Sequence, residues 1–470
     1  MIRLCQRVRL CLAVLLCAVV GGCAVDQAKE VATHRSVINA DRPIEAFDAG
    51  SPLTLERALE LANHYNERLG LQGEAYLQSL INRQRAAANF MPTLSFAPSG
   101  NVGGGNASTF QGTAPLNARQ NLFNGFIDIS NYRAAANNIQ QQRALLLDAQ
   151  ATVLLSVAQV YYQILRSEAS VEVLKNTLLL QQERVRDIRA RQQAGLARPL
   201  DVAQTEAQAS ATRVSLLNAQ NDVSNGRSTL AFLVGAPMHR SPLIDEIRPP
   251  ETLPQLPELQ QIAAADRQDL IAAADVVLAA RYRVDAAIGQ YYPSVSLNLS
   301  YILARRNIRS NTDWTAAISA NVPIFSAGLI EADVREAWSI FRQAELTESQ
   351  LRRQIIQDVE VAHQNVLASR ERLAELDVQT KAADAALRLA EELYNAGLAT
   401  NLERLAAQDQ RLSAELQLAS ERFNYKLYHL NLLRTIGRLS LRLPGAPATR
   451  PATQPALTVS ASPATMSSQP

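Results

Sequence analysis

The chain has 470 residues, of which 47% are hydrophobic and 19% charged, with a formal net charge of +2. That balance excludes a like-charged disordered chain and leaves no basic footprint, so no nucleic-acid partner is expected. Aromatic residues make up only 5%, and the abundance of Ala, Leu, Gln and Arg favours long, closely packed helices over a large globular core.

Residues 1–22 read as a signal peptide. Arg3, Arg7 and Arg9 precede an apolar run from Leu10 to Val20, which is too short to cross a bilayer as a helix. The cysteines are Cys5, Cys11, Cys17 and Cys23, so a chain cleaved before Cys23 can form no internal disulfide. Val20-Gly21-Gly22-Cys23 resembles a bacterial lipobox, which implies an acylated Cys23. Ala24 rather than Asp follows, and the same resemblance then implies sorting to the outer membrane. The other reading is an ordinary signal peptide followed by an incidental cysteine. Residues 23–51 show no sustained periodicity and are expected to be a tether.

The prolines at 237, 242, 249, 250, 254 and 257 allow no helix through the segment 237–257. This linker separates 52–236 from 258–440, and the two halves repeat. Phe90-Met91-Pro92-Thr93-Leu94-Ser95-Phe96 is echoed by Tyr291-Tyr292-Pro293-Ser294-Val295-Ser296-Leu297. Ala194-Gly195-Leu196-Ala197 returns as Ala396-Gly397-Leu398-Ala399, with Leu200-Asp201 and Leu402-Glu403 at equal spacing beyond. Each half is expected to run helix, strand, strand, long helix, tight turn, long helix. The tail 441–470, rich in Pro, Ala, Ser and Thr, is expected to be disordered.

The clearest strand is 294–303, where Val295, Leu297, Leu299, Tyr301 and Leu303 alternate with Ser294, Ser296, Asn298 and Ser300. Residues 314–324 match it, and 93–102 with 115–123 form a weaker pair around a Gly-rich loop. Strands of about ten residues have the length for a tilted bilayer crossing. Lipid-facing strands exist only in closed barrels, and four per chain are too few to close one. Several chains must therefore share the ring. A soluble hairpin packed on helices shows the same alternation and is the competing reading.

From Asp128 to Arg191, and again over 329–394, the chain is free of proline and glycine. Each stretch predicts a rod of roughly 90–100 Å. Leu147, Leu154, Val157, Tyr161, Leu165 and Val171 keep helical spacing, and neither rod is apolar throughout, so neither is expected to span a membrane. Gly195 and Gly397 suit left-handed C-caps, and Pro199, Asp201 and Glu403 suit the start of a returning helix.

The order and duplication of these features resemble the TolC-like outer-membrane efflux proteins, from about Leu53 to Leu439. The resemblance implies a mainly α chain with a small β part, assembled as a homotrimer. Its subunits would share an outer-membrane β-barrel and a periplasmic tunnel of helical hairpins. It also implies passive export of drugs, metals or other solutes, or of proteins by type I secretion. The partners would be a periplasmic adaptor protein and an inner-membrane pump. On this resemblance Gly195, Leu196, Gly397 and Leu398 are adaptor-contacting tips. Tyr394 bonded to Asp201 would close the tunnel, and Glu403 would contribute to an acidic ring. Ala399 stands where some members carry a supporting arginine, and Ala406 at the ring's second acidic position. A periplasmic coiled-coil scaffold or adaptor lipoprotein without a pore is the alternative.

Enzyme chemistry is not expected, nor is a metal or cofactor. His34, His64, His239, His363 and His429 are scattered without ligand spacing. Gly103-Gly104-Gly105 lacks the lysine of a phosphate loop. His429, among Leu427, Tyr428 and Leu430, reads as a packed helix residue.

Overall fold

The structure is a computed structural model describing residues 27–41, 44, 50–103, 109–237, 241–250, 252–306, 308 and 312–441. The signal peptide, Cys23 and the tail beyond residue 441 lie outside the described residues. The first half contains β1 (Leu53–Thr54), α2 (Leu55–Tyr65) and α3 (Glu67–Ala88), preceded by α1 (Gln27–Val37). Strands β2 (Thr93–Phe96), β3 (Ser99–Gly103) and β4 (Thr109–Asn124) follow, then α4 (Ile127–Gln193) and α5 (Pro199–Val234). A short strand, β5 (Leu243–Ile244), precedes the second half. That half comprises α6 (Leu256–Asp266), α7 (Gln268–Gly289), β6 (Ser294–Arg306), β7 (Trp314–Asn321), α8 (Leu329–Asn395) and α9 (Asn401–Thr435).

The repeat is metric. Helices α2 and α6 have 11 residues each, α3 and α7 have 22, and α4 and α8 have 67. Helices α5 and α9 have 36 and 35. At about 1.5 Å per residue the long helices are rods of roughly 100 Å. Although α4 is not apolar throughout, one 18-residue window within it is apolar enough by length and composition for a bilayer crossing. Its side chains Val153, Leu154, Val157, Ala158, Tyr161 and Tyr162 are nevertheless buried in a protein core with Leu53, Leu59, Leu61, Leu230 and Val234.

Strands β2, β4, β6 and β7 form one antiparallel sheet in that order, with β3 also on β4. The register aligns Leu94 with Ala118, Ala118 with Leu299, and Leu299 with Ala316. Phe96, Leu116, Tyr301 and Trp314 form the neighbouring row. One face is thus apolar across all four strands. The opposite face aligns Ser95, Asn117, Ser300 and Thr315. Pro115 sits at a register shift between β4 and β6, where a missing N–H is tolerated. Strand β7 stops at Asn321 rather than 324, ahead of Pro323, and the run 93–102 is broken into β2 and β3. Both ends of the sheet are unpaired among the described residues.

Two segments read as irregular are structured. Within 23–51, α1 docks on the first repeat without an apolar stripe, which is why periodicity missed it. The His34 ring fills a notch at Gly73, where a Cβ would lie 2.3 Å from it. The Ile38 carbonyl accepts from Asn63 Nδ2 and Gln150 Nε2, each at 2.9 Å. Within 237–257, β5 pairs in parallel with β1. The buried Tyr161 hydroxyl lies 2.7 Å from the Leu53 carbonyl and 2.8 Å from that of Ile244, and accepts from the Ile244 N–H at 3.0 Å. Helix α6 begins at Leu256, with Pro257 in its first turn. Replacing Tyr161 with Phe leaves these groups unsatisfied and is expected to cost on the order of 1–3 kcal/mol. A lowered Tm, with protease cleavage appearing in 241–250, is the measurable result.

Candidate functional site

The sheet sets the first half of the site. Its apolar face is uncovered: Leu94, Leu299, Trp314 and Ile318 are all exposed in the isolated chain. Rows of alternating Leu, Ala and aromatic side chains with Ser and Asn behind them suit lipid outside and water inside. The strand-to-helix joint below is tight. A Cβ on Gly125 would lie 2.1 Å from the Gly289 carbonyl oxygen, so α4 and α7 enter the sheet at van der Waals closeness.

The far ends of the rods set the second half. Gly195 has φ +75° and Gly397 φ +74°, and a Cβ at either would touch nothing within 4 Å, so backbone conformation alone selects glycine. The Leu196 N–H donates to Arg191 O and that of Leu398 to Leu393 O, both at 2.8 Å, which closes each helix end. The two leucines project outward, 79% and 77% exposed. All four predicted tip residues therefore sit at the apices of the hairpins.

Asp201 and Glu403 both begin returning helices. The Asp201 carboxylate accepts from the Arg198 backbone N–H at 3.1 Å and from Arg198 Nη2 at 2.9 Å, which holds its pKa below the usual range. Glu403 accepts from the Thr400 N–H at 2.7 Å, and its own N–H donates to Thr400 Oγ1 at 3.3 Å. Its pKa is depressed by the bonds its carboxylate accepts from the Thr400 N–H and, at 3.0 Å, from the Thr400 hydroxyl.

The predicted bond between Tyr394 and Asp201 is not among the contacts of the protomer. The Asp201 carboxylate is engaged by Arg198, and the Tyr394 ring instead lies under two guanidinium groups, 4.2 Å from Arg404 and 5.8 Å from Arg191. Arg404 Nη2 donates to Asn401 Oδ1 at 2.8 Å, and Asn401 Nδ2 reaches the Asp201 backbone carbonyl at 3.3 Å. Sequence reasoning missed Arg404, Asn401 and Arg191. The one available signal was that Arg404 stands where the first repeat has Val202.

A sheet with one lipid-compatible face and two free edges, carried on two long hairpins with exposed apical leucines, defines a subunit of a barrel-and-tunnel membrane channel. Residues 72–236 and 259–438 match the model of the outer membrane efflux protein family, and the chain belongs to that family. It is similar to the outer membrane efflux protein BepC of Brucella suis, with 24% identity over 405 residues and 84% of each chain covered. Among solved structures, the outer membrane protein VceC of Vibrio cholerae superposes with a TM-score of 0.73 at 22% identity, covering 82% of this chain and 96% of that one. The MtrE outer membrane channel of Neisseria gonorrhoeae, in its open state, gives 0.71 at 21% identity, covering 86% and 95%. The protein is thus an outer-membrane channel subunit of an efflux system, reaching into the periplasm. The reading as a scaffold without a pore is set aside.

Replacing Gly397 with Ala is expected to cost about 1–2 kcal/mol of local stability, since L-residues disfavour positive φ. Faster amide exchange confined to the tip of the second hairpin would register it. Because folding depresses both capping carboxylates, their contribution is complete above the ordinary carboxylate range and is lost as pH falls through their lower folded values. Exchange at Asp201 and Glu403 should therefore accelerate only at strongly acidic pH.

Proposed function

We propose that three copies of the chain close one barrel and one tunnel, and that this duct receives drugs, metals or other solutes from an inner-membrane pump through a periplasmic adaptor. The observation that carries it is the apolar row running across four strands to two unpaired edges. Each edge would take the free edge of a neighbouring copy, so that every lipid-facing backbone group finds a partner.

The repeat indicates where the copies meet. In the chain, α4 packs on α7 and α9, burying Ala144 to 3% exposure. The equivalent position of α8 is Leu346, 71% exposed. Ile356 is likewise exposed where its counterpart Leu154 is buried. A second copy presenting its first repeat to α8 would cover these side chains as α4's are covered. The adaptor would engage the apices at Gly195, Leu196, Gly397 and Leu398. Asp201, Tyr394 and Glu403 would surround the narrow periplasmic end.

The lipid anchor fits the same frame. Helix α1 runs antiparallel to α3, with Ile38 beside Asn63 and His34 beside Gly73, so Gln27 points toward the strand end of α3. An acylated Cys23, four residues before Gln27, would then lie toward the membrane end of the protomer.

Two measurements test this reading. The detergent-purified protein is expected to size as a trimer and to give discrete conductance steps in planar bilayers. Changing Cys23 to Ser should abolish palmitate incorporation but leave the trimer dependent on detergent. A signal-cleaved Cys23→Ser chain that stays monomeric and soluble without surfactant would sink the shared barrel.

A further inference from the structure

Arg404 is only 6% exposed, and its Nε has no hydrogen-bond partner among the described residues. The fold itself does not ask for a cation there. The same position of the first repeat, in a helix that also carries a capping carboxylate at its third residue, is Val202, also buried. Burying a guanidinium where a valine serves costs desolvation, and among the described residues no carboxylate forms an ion pair with it, Asp187 acting only from beyond pairing distance. Burial and the nearby Arg191 push its pKa down, with Tyr394 and Asp187 opposing them. What Arg404 gains is contact with one other element, α8, and a place in a cluster whose other members reach α5 and α4. Its guanidinium lies 4.2 Å from the Tyr394 ring on α8. Through Asn401 it reaches the Asp201 carbonyl and Thr205 Oγ1 on α5. The same ring is approached by Arg191 of α4 at 5.8 Å. Tyr394 and Asn401 have Gln192 and Pro199 as first-repeat counterparts, so the whole constellation exists in one hairpin only.

We propose that Arg404, set between Tyr394 and Asn401 within the second hairpin, presents the Tyr394 ring to Arg191 and the Asn401 amide to the Asp201 carbonyl, a cation–π latch that holds the second hairpin against the first at the periplasmic end, with Arg404 as the positioning residue. The proposal rests on the channel function stated above. It differs from a phenol–carboxylate lock in what it requires of residue 394. The latch needs the aromatic face, not the hydroxyl, because a guanidinium interacts with the ring quadrupole. The Asp201 carboxylate is left free to cap its own helix with Arg198.

The test uses the full-length, detergent-purified assembly and four variants: Arg404→Val, Arg404→Lys, Tyr394→Val and Tyr394→Phe. Valine at 404 copies the other repeat and should fold, with assembly confirmed by sizing. Arg404→Val and Tyr394→Val are each expected to raise single-channel conductance at least about two-fold, and their combination no further than either alone. Phenylalanine at 394 should restore most of the closed level that valine loses, and lysine at 404 part of it. A second readout does not depend on the pore. The chain has no cysteine after Cys23, so spin labels on cysteines at 196 and 398 report the separation of the two apices. Arg404→Val should broaden and lengthen that distance. Unchanged conductance and label distance in assembled Arg404→Val would overturn the latch. So would a Tyr394→Phe variant as open as Tyr394→Val, which would return the lock to the phenolic hydroxyl. Absence of any conductance in the parent would strike the duct itself, while the label distances still decide the latch.

Discussion

A backbone N–H or carbonyl facing hydrocarbon must be hydrogen-bonded inside the protein, and each one left bare costs several kcal/mol. The sheet of this chain meets that demand along its interior ladders and fails it at both ends, where the outer edges of β2, β3 and β7 have no partner among the described residues. Its apolar face makes water an unsuitable solvent and its open edges make lipid an unsuitable one. Only a closed ring built from several copies removes the conflict. The rest of the molecule is arranged around that requirement, because the rods that descend from the strands must close a ring of the same symmetry.

Duplication is an economical route to such a ring. Two repeats with helices of matched length give each chain two near-equivalent seams, one satisfied internally and one left open. The internal seam is visible in the close approach of Gly125 and Gly289 and in the burial of α4. The waist is tied separately. Tyr161 clamps both short strands, Lys426 pairs with Asp245 from the linker, and Arg434 meets Asp148 at 2.7 Å across the two repeats. Arg267, nearly buried, bridges Asp269 at 2.7 Å and Asp358 at 3.1 Å. Buried pairs of this kind add little net stability, because desolvation offsets the attraction. Breaking one partner is costly, so they specify how the repeats sit rather than how tightly the chain folds.

The apices show where the duplication has been relaxed. Both hairpins keep the left-handed glycine, the projecting leucine and the capping carboxylate, since each solves a backbone problem common to any tight helical turn. Beside them, one hairpin has Val202 and Gln192 where the other has Arg404 and Tyr394. The polar cluster thus lies inside one seam and not its twin, which is where the proposed latch would act.

Local patterns in the sequence determined the architecture. Period-two alternation over 294–303, the long proline-free stretches and the paired Ala-Gly-Leu-Ala turns each report a property set by neighbours along the chain, and the repeat orders them. The tertiary structure alone decided what depended on distant partners. Helix α1 is held by a glycine notch and one shared carbonyl, which leave no periodicity to read. Strand β5 exists because β1 and Tyr161 lie beside it, although its prolines rightly forbid a helix. At the apex, residue types alone left Tyr394 free to pair with Asp201 by analogy. The fold brought Arg404 under its ring and gave the carboxylate to Arg198, because helix phase across a turn sets which side chains meet.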